Sequence, residues 1–113
     1  MTTTTTAGPP DARIIKTAHG FEVHPGVVPK RRSDSFTIRN MTHFTVDVMF
    51  PEGLMTESHG SIGPGAPSTF HVRDDADAGV YDYAIEVIVM DRESREFKLQ
   101  ARGASSPRII IDF

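Results

Sequence analysis

Five histidines, His19, His24, His43, His59 and His71, are the residues of this chain best suited to chemistry. Neutral imidazole is the commonest protein ligand for zinc and copper, and it titrates nearest to neutral pH. No two of the five stand at the close spacing of a recognisable zinc motif. His43 and His59 are expected to share the end of the strand pair that the Pro51 to Pro67 loop leaves, so they are the pair that a thiolate-free copper or zinc site would use. Met41, Met49, Met55 and Met90 are soft donors suited to copper(I), but they have no repeated spacing and serve equally as fillers of core gaps. Asp74, Asp75 and Asp77 offer hard oxygen ligands for calcium. Their run lacks the glycine and the distal glutamate of an EF-hand loop and reads as a solvated turn.

Hydrolytic chemistry finds its residue types in Ser58-His59 and Ser33-Asp34-Ser35, without a nucleophile elbow or a base held by an orienting group. Glu52 and Glu57, in the same long loop, have no defined separation. Gly63-Pro64-Gly65 precedes a strand and not a helix N-terminus, so it makes no phosphate cradle. The chain contains no cysteine, which excludes disulfides, thiolate metal sites, iron–sulfur clusters and cysteine nucleophiles. Neither an enzyme nor a cofactor is expected from these residues.

The 113 residues fit a single domain with one core. A net charge of -3 with interspersed signs leaves no electrostatic footprint for nucleic acid or an anionic membrane. The one basic cluster, Lys30-Arg31-Arg32, reads as a solvated turn. No apolar run is long enough to span a bilayer, and the threonine-rich start has no basic and apolar regions of a signal peptide, so a cytoplasmic location is expected. Residues 1–12 read as a disordered tail that buries too little apolar surface to offset its ordering entropy, and residues 13–113 as the domain.

The elements that must position these residues are strands. The run Asp77 to Val89 reads as one long central strand entered through an acidic turn, with Tyr81, Tyr83, Ile85, Val87 and Val89 on one face. Arg13 to Thr17 and Gly20 to Pro25 read as two short strands, and Pro25, Gly26 and Pro29 keep the following stretch at a sheet edge or in a loop. Ser35 to Asn40 alternates with Phe36 and Ile38 inward. A tight turn at Asn40-Met41-Thr42, in which asparagine bonds its own backbone, leads to the strand of Phe44, Val46, Val48 and Phe50. Prolines and glycines from Pro51 to Pro67 predict one long irregular crossover. Thr69 to Arg73, Phe97 to Ala101 after a charged hairpin tip at Asp91 to Glu96, and a buried final strand Arg108 to Phe113 after a turn at Gly103 to Pro107 complete about eight strands. With no helical periodicity, the fold class is all-β, an antiparallel sandwich or barrel.

Four stretches resemble the cupredoxin pattern: Phe36 to Asn40, Phe44 to Pro51, Ile62 to Val72, and Gly79-Val80-Tyr81-Asp82-Tyr83. The resemblance covers roughly residues 20 to 113 and implies a Greek-key β-sandwich. It places Ile85 where the family carries its copper-binding cysteine and Val46 where the first ligand histidine is expected; isoleucine has no donor for a site that needs a thiolate. The resemblance therefore implies a copper-free relative serving as a binding or structural module. Asp77 to Tyr83 is also similar to the tyrosine-corner run of immunoglobulin domains, with Tyr81 as the corner residue, although the core tryptophan of that family is missing.

Opposite the inward face of the central strand lie Ala84, Ile88 and Met90, an apolar row unusual for a solvated sheet. Either the N-terminal segment Arg13 to Ala18 covers it, or it contacts a protein partner or a second copy of the chain. The expected function is that of a non-catalytic interaction or structural domain. The alternative is a metal-binding relative using His43 and His59.

Overall fold

The computed structural model describes residues 9–101 and 106–112. Its strands are β1 (Ala12–Thr17), β2 (Gly20–His24), β3 (Val27–Lys30), β4 (Ser35–Asn40), β5 (Thr45–Met49) and β6 (His59–Ile62). They continue with β7 (Pro67–His71), β8 (Gly79–Asp82), β9 (Ala84–Met90), β10 (Glu96–Gln100) and β11 (Arg108–Ile111). There is no helix among the described residues, and so none long and apolar enough to cross a membrane. The strands form three sheets, ordered β2-β1-β4-β7, β10-β9-β5-β6 and β3-β11-β8, around one apolar core. The all-β, sandwich-like class expected from the alternation is what the chain forms.

The expected central strand is two strands. β8 pairs with β11, whereas β9 pairs with β5 and β10, and the chain changes sheets at Tyr83. At the crossing the Tyr83 amide donates to the Pro107 carbonyl at 3.0 Å, so the backbone keeps a partner while it belongs to neither ladder. Tyr83, Ile85 and Val87 are all buried, because side-chain phase continues through the switch although the hydrogen-bond partners change.

Two further strands form, β3 at a sheet edge, which is one of the two places expected for it, and β6 where only a loop was expected. β3 runs parallel to β11 at the edge of its sheet, a place where Pro29 withholds no ladder bond that the sheet needs. β6 lies inside the stretch from Pro51 to Pro67, and Gly60 belongs to it for a packing reason: an added Cβ would stand 2.8 Å from Cε1 of the Phe70 ring. The same stretch sends Leu54 and Met55 into the core, so it plugs the sandwich as well as crossing it. The sheets are also mixed and not wholly antiparallel, since β1 runs parallel to β4.

The tail boundary moves inward, because Asp11 and Ala12 are built into the fold. Ala12 is fully buried. Asp11 exchanges bonds with Thr37, donating its amide to the Thr37 carbonyl at 2.8 Å and accepting the Thr37 amide at 2.7 Å, and it pairs with Lys30 at 2.9 Å. Lys30 is thus an ion-pair partner, and Arg32 donates to the Ala76 carbonyl at 2.6 Å, so two of the three cluster cations are engaged. Residues 1–8 of the expected tail and residues 103–105 of the expected turn at 103–107 lie outside the described residues.

Two devices join the sheets. Asn40 at the end of β4 is fully buried; its amide nitrogen donates to the carbonyls of Phe44 (2.6 Å), Ile62 (3.2 Å) and Gly63 (3.1 Å). Its oxygen accepts from the Thr42 amide and hydroxyl, so the asparagine does bond its own turn and also ties the end of β4 to the end of β6. The second device is an aromatic cluster of Phe36, Phe50, Phe70 and Tyr83, with ring centroids 4.8 to 6.2 Å apart. Three of these contacts are edge-on and the Phe50–Tyr83 pair is tilted; edge-on aromatic pairs contribute about 0.5–1.5 kcal/mol each beyond their buried area.

Gly60→Ala should lower stability by about 1–3 kcal/mol, because the added Cβ forces a shift of the Phe70 ring, which is packed against Phe50; an unchanged chemical-denaturation midpoint would contradict this packing. Tyr83 gives the opposite expectation. Its hydroxyl is buried with no partner among the described residues, and burial pushes its pKa up. Tyr83→Phe should therefore leave stability equal or higher, since an unpaired buried hydroxyl is unfavourable by about 1–3 kcal/mol. A clear loss in the same denaturation assay would show that the hydroxyl is bonded.

Candidate functional site

The polar candidates are spread apart by the fold. In the acidic turn, Asp74 accepts from the Ser33 hydroxyl and Asp75 holds Arg73 in a two-point pair at 2.8 and 3.1 Å. The Arg73 guanidinium keeps the Asp75 carboxyl below its ordinary value. The Asp77 carbonyl accepts the Tyr81 hydroxyl at 2.6 Å, a bond from a tyrosine of β8 to the backbone four residues upstream that closes the corner into that strand. Among the described residues no group of three or more histidines, aspartates and glutamates is placed to hold a metal ion.

His43 and His59 do not converge. Met49 is the register partner of His59, and Val46 that of Ile62, so His59 lies at the far end of β5 from the turn that carries His43. The length of β5 from Thr45 to Met49 alone separates them by roughly 13 Å at about 3.3 Å per residue. His24 pairs with Glu22 at 3.0 Å and His71 approaches Glu57 at 3.8 Å. Ser58 and His59 are exposed neighbours whose side chains meet only at 3.4 Å.

Ala84, Ile88 and Met90 do lie on the outer face of β9, and the N-terminal segment does not cover them. β1 is paired between β2 and β4 in the other four-stranded sheet, with Ala12 and Ile14 turned into the shared core. The row is not continuous, however. Gln100, Glu86, Asp47 and Ser61 stand side by side across four strands, separating Ala84 and Met49 from Ile88 and Met90. Ser61 donates to Asp47 at 2.6 Å within that polar row. Ala84 and Ile88 are only partly exposed, and Met90 is 55% exposed at the rim.

A larger uncovered strip lies on the opposite side of the same hairpin. Phe97 stands directly across from Val89 and Leu99 from Val87, so both share the core-facing side of the sheet. Val87 is fully buried, yet Phe97 and Leu99 are 48% and 47% exposed, because β10 is the last strand of its sheet and overhangs the core. Every residue of β10 is exposed. The sequence contains the inward phase of Phe97 and Leu99, but it carries no signal for the overhang, which depends on how far the opposing sheet extends.

The strip is held out by a tight turn. The Ser94 amide donates to the Asp91 carbonyl at 3.1 Å, the Asp91 amide to the Arg95 carbonyl at 2.9 Å, and Ser94 takes a left-handed φ of 62°. This is the three-residue hairpin connection, a turn followed by a left-handed residue. The Asp91 carboxylate accepts the amides of Glu93 (2.9 Å) and Arg95 (2.7 Å) and pairs with the Arg95 guanidinium at 2.9 Å. Its pKa is lowered, chiefly by the Arg95 amide.

The chain matches no known protein family, and no curated protein is significantly similar to it.

The lowered pKa of Asp91 has a definite sign. Its support for the turn is complete above the ordinary aspartate value of about 3.9 and is lost as the pH falls through the lower value of the folded hairpin. Amide-exchange protection at Arg95 should therefore drop on acidification below about pH 4, near that ordinary value, more than protection at Val48 in the sheet interior. Asp91→Ala should remove that pH dependence. Equal behaviour of the two amides would remove the carboxylate from the account of the turn.

Proposed function

We propose that this chain is a non-catalytic, copper-free, cupredoxin-like domain that resides in the cytoplasm and acts through protein contacts. The observation that carries the reading is the overhanging strip of Phe97, Leu99 and the part-buried Val89, presented on an exposed edge strand. Large apolar side chains gathered on an open sheet edge offer a partner both burial and backbone hydrogen bonds.

The position that matters for copper supports the same reading. Ile85 is 1% exposed, packed into the apolar core, where a ligand set would be both donorless and dry. Separation of His43 from His59 along β5 takes away the support for a histidine-only site. The Tyr81–Asp77 bond is of the kind that stabilises Greek-key corners, and it supports that topology.

A photoactivatable phenylalanine analogue at position 97, introduced in living cells, should give a covalent adduct on illumination. The same analogue at the exposed Thr69 on β7 should give little. An adduct with the mass of two chains or of this chain joined to another protein supports the reading. No adduct above the Thr69 control would overturn it.

A further inference from the structure

We propose that the strip is covered by a second copy of the chain, joined edge to edge through β10 in antiparallel register, with Phe97 facing Phe97 across a twofold axis and Glu96 facing the second copy's Lys98. The proposal rests on the interaction-domain reading above and names its partner.

The described sheets have six edge strands, β2, β7, β10, β6, β3 and β8. Five carry a residue that weakens strand addition: Gly20 in β2, Pro67 in β7, Gly60 in β6, Pro29 in β3 and Gly79 in β8. β10, Glu-Phe-Lys-Leu-Gln, has neither proline nor glycine. Proline removes a ladder donor and glycine weakens a strand, so β10 is the edge best able to accept another strand.

The ladder on its inner side sets which backbone groups are free. The bonds Asp91 N–Arg95 O and Ala101 N–Ile85 O show that odd-numbered residues of the returning strand face β9. Antiparallel ladders alternate, so Glu96, Lys98 and Gln100 direct their N–H and C=O groups to the open edge. A second β10 must then pair even-numbered residues with even-numbered residues. Centring the axis on Glu96 opposes two carboxylates, and centring it on Lys98 opposes two ammonium groups. An axis at Leu99 leaves Glu96 beyond the partner's strand. Centring on Phe97 places Glu96 opposite Lys98 twice, by symmetry. That register also puts the two Phe97 rings at a non-hydrogen-bonded position, where opposed side chains approach most closely. The charges that ordinarily keep an edge strand single become complementary in this one arrangement, so β10 selects its own copy over a strand of arbitrary sequence. The product is a continuous sheet that doubles the four-stranded β10-β9-β5-β6.

Sedimentation equilibrium of the full chain over a wide concentration range tests this directly. The average mass should rise from 12.4 kDa toward twice that value. Glu96→Lys and Lys98→Glu should each weaken self-association about tenfold, as two attractive cross-strand pairs become repulsive. The double variant E96K/K98E, and an equimolar mixture of the two single variants, should restore it. Because the chain lacks cysteine, Phe97→Cys supplies a unique thiol that should form a covalent dimer under mild oxidation, whereas Leu99→Cys, which faces Arg95 in this register, should not. A wild-type protein monomeric at every concentration would overturn the proposal, as would single variants that associate like wild type or are not rescued by mixing. If the protein is monomeric yet the position-97 analogue captures another protein in cells, the interaction-domain reading stands and the second-copy partner falls.

Discussion

One backbone crossing holds the molecule together. At Tyr83 the chain leaves the ladder of β8 and β11 and enters the ladder of β9, β5 and β10, with the amide of Tyr83 held by Pro107 between the two. Two sheets are thereby obliged to share one core, since the side chains on either side of the crossing point inward without a break. The last strand depends on the same point. β11 is sandwiched between β3 and β8, and its Ile109 and Ile111 are fully buried. The aromatic cluster gathers at the crossing because Tyr83 is itself a member, touching both Phe36 and Phe50.

The fold class was readable in the sequence for the reason that makes the crossing invisible. Alternation of side chains reports which face a residue occupies, and it correctly assigned Phe36, Ile38, Val46, Val48, Ile85 and Val87 to the core. It does not report hydrogen-bond partners, so Asp77 to Val89 reads as one strand. Gly60 failed for a related reason: glycine signals a break when considered locally, but here it makes room for a ring that arrives from β7. Asn40 was readable because its bonds to Thr42 are local, whereas its bonds to Ile62 and Gly63 come from tertiary contact. The exposed apolar surface was half readable. Alternation placed Ala84, Ile88 and Met90 on the outer face of β9, but that row is divided by Glu86. The uncovered apolar residues lie on the core-facing side, where pattern alone would bury them.

Stability and exposure are divided between the two strands of the β9–β10 hairpin. Near its base, Ile85, Val87 and Ala101 are buried, and the Ala101 amide reaches the Ile85 carbonyl at 2.9 Å. Across from these residues on β10, Leu99 and Phe97 are half exposed, and order at the tip comes from Asp91 and its bonds to the turn. Such an element can present a large apolar surface without weakening the core, because little of the core depends on it.

The crossing also has an optical consequence. The chain contains no tryptophan and only two tyrosines, Tyr83 at the point where the backbone passes from one sheet to the other and Tyr81 two residues before it. One phenol is bonded to a backbone carbonyl at the surface; the other is enclosed by phenylalanine rings. Intrinsic ultraviolet emission and near-ultraviolet dichroism therefore report on this joint with little background. The unlabelled protein carries a native probe at the place where its two sheets either remain together or come apart.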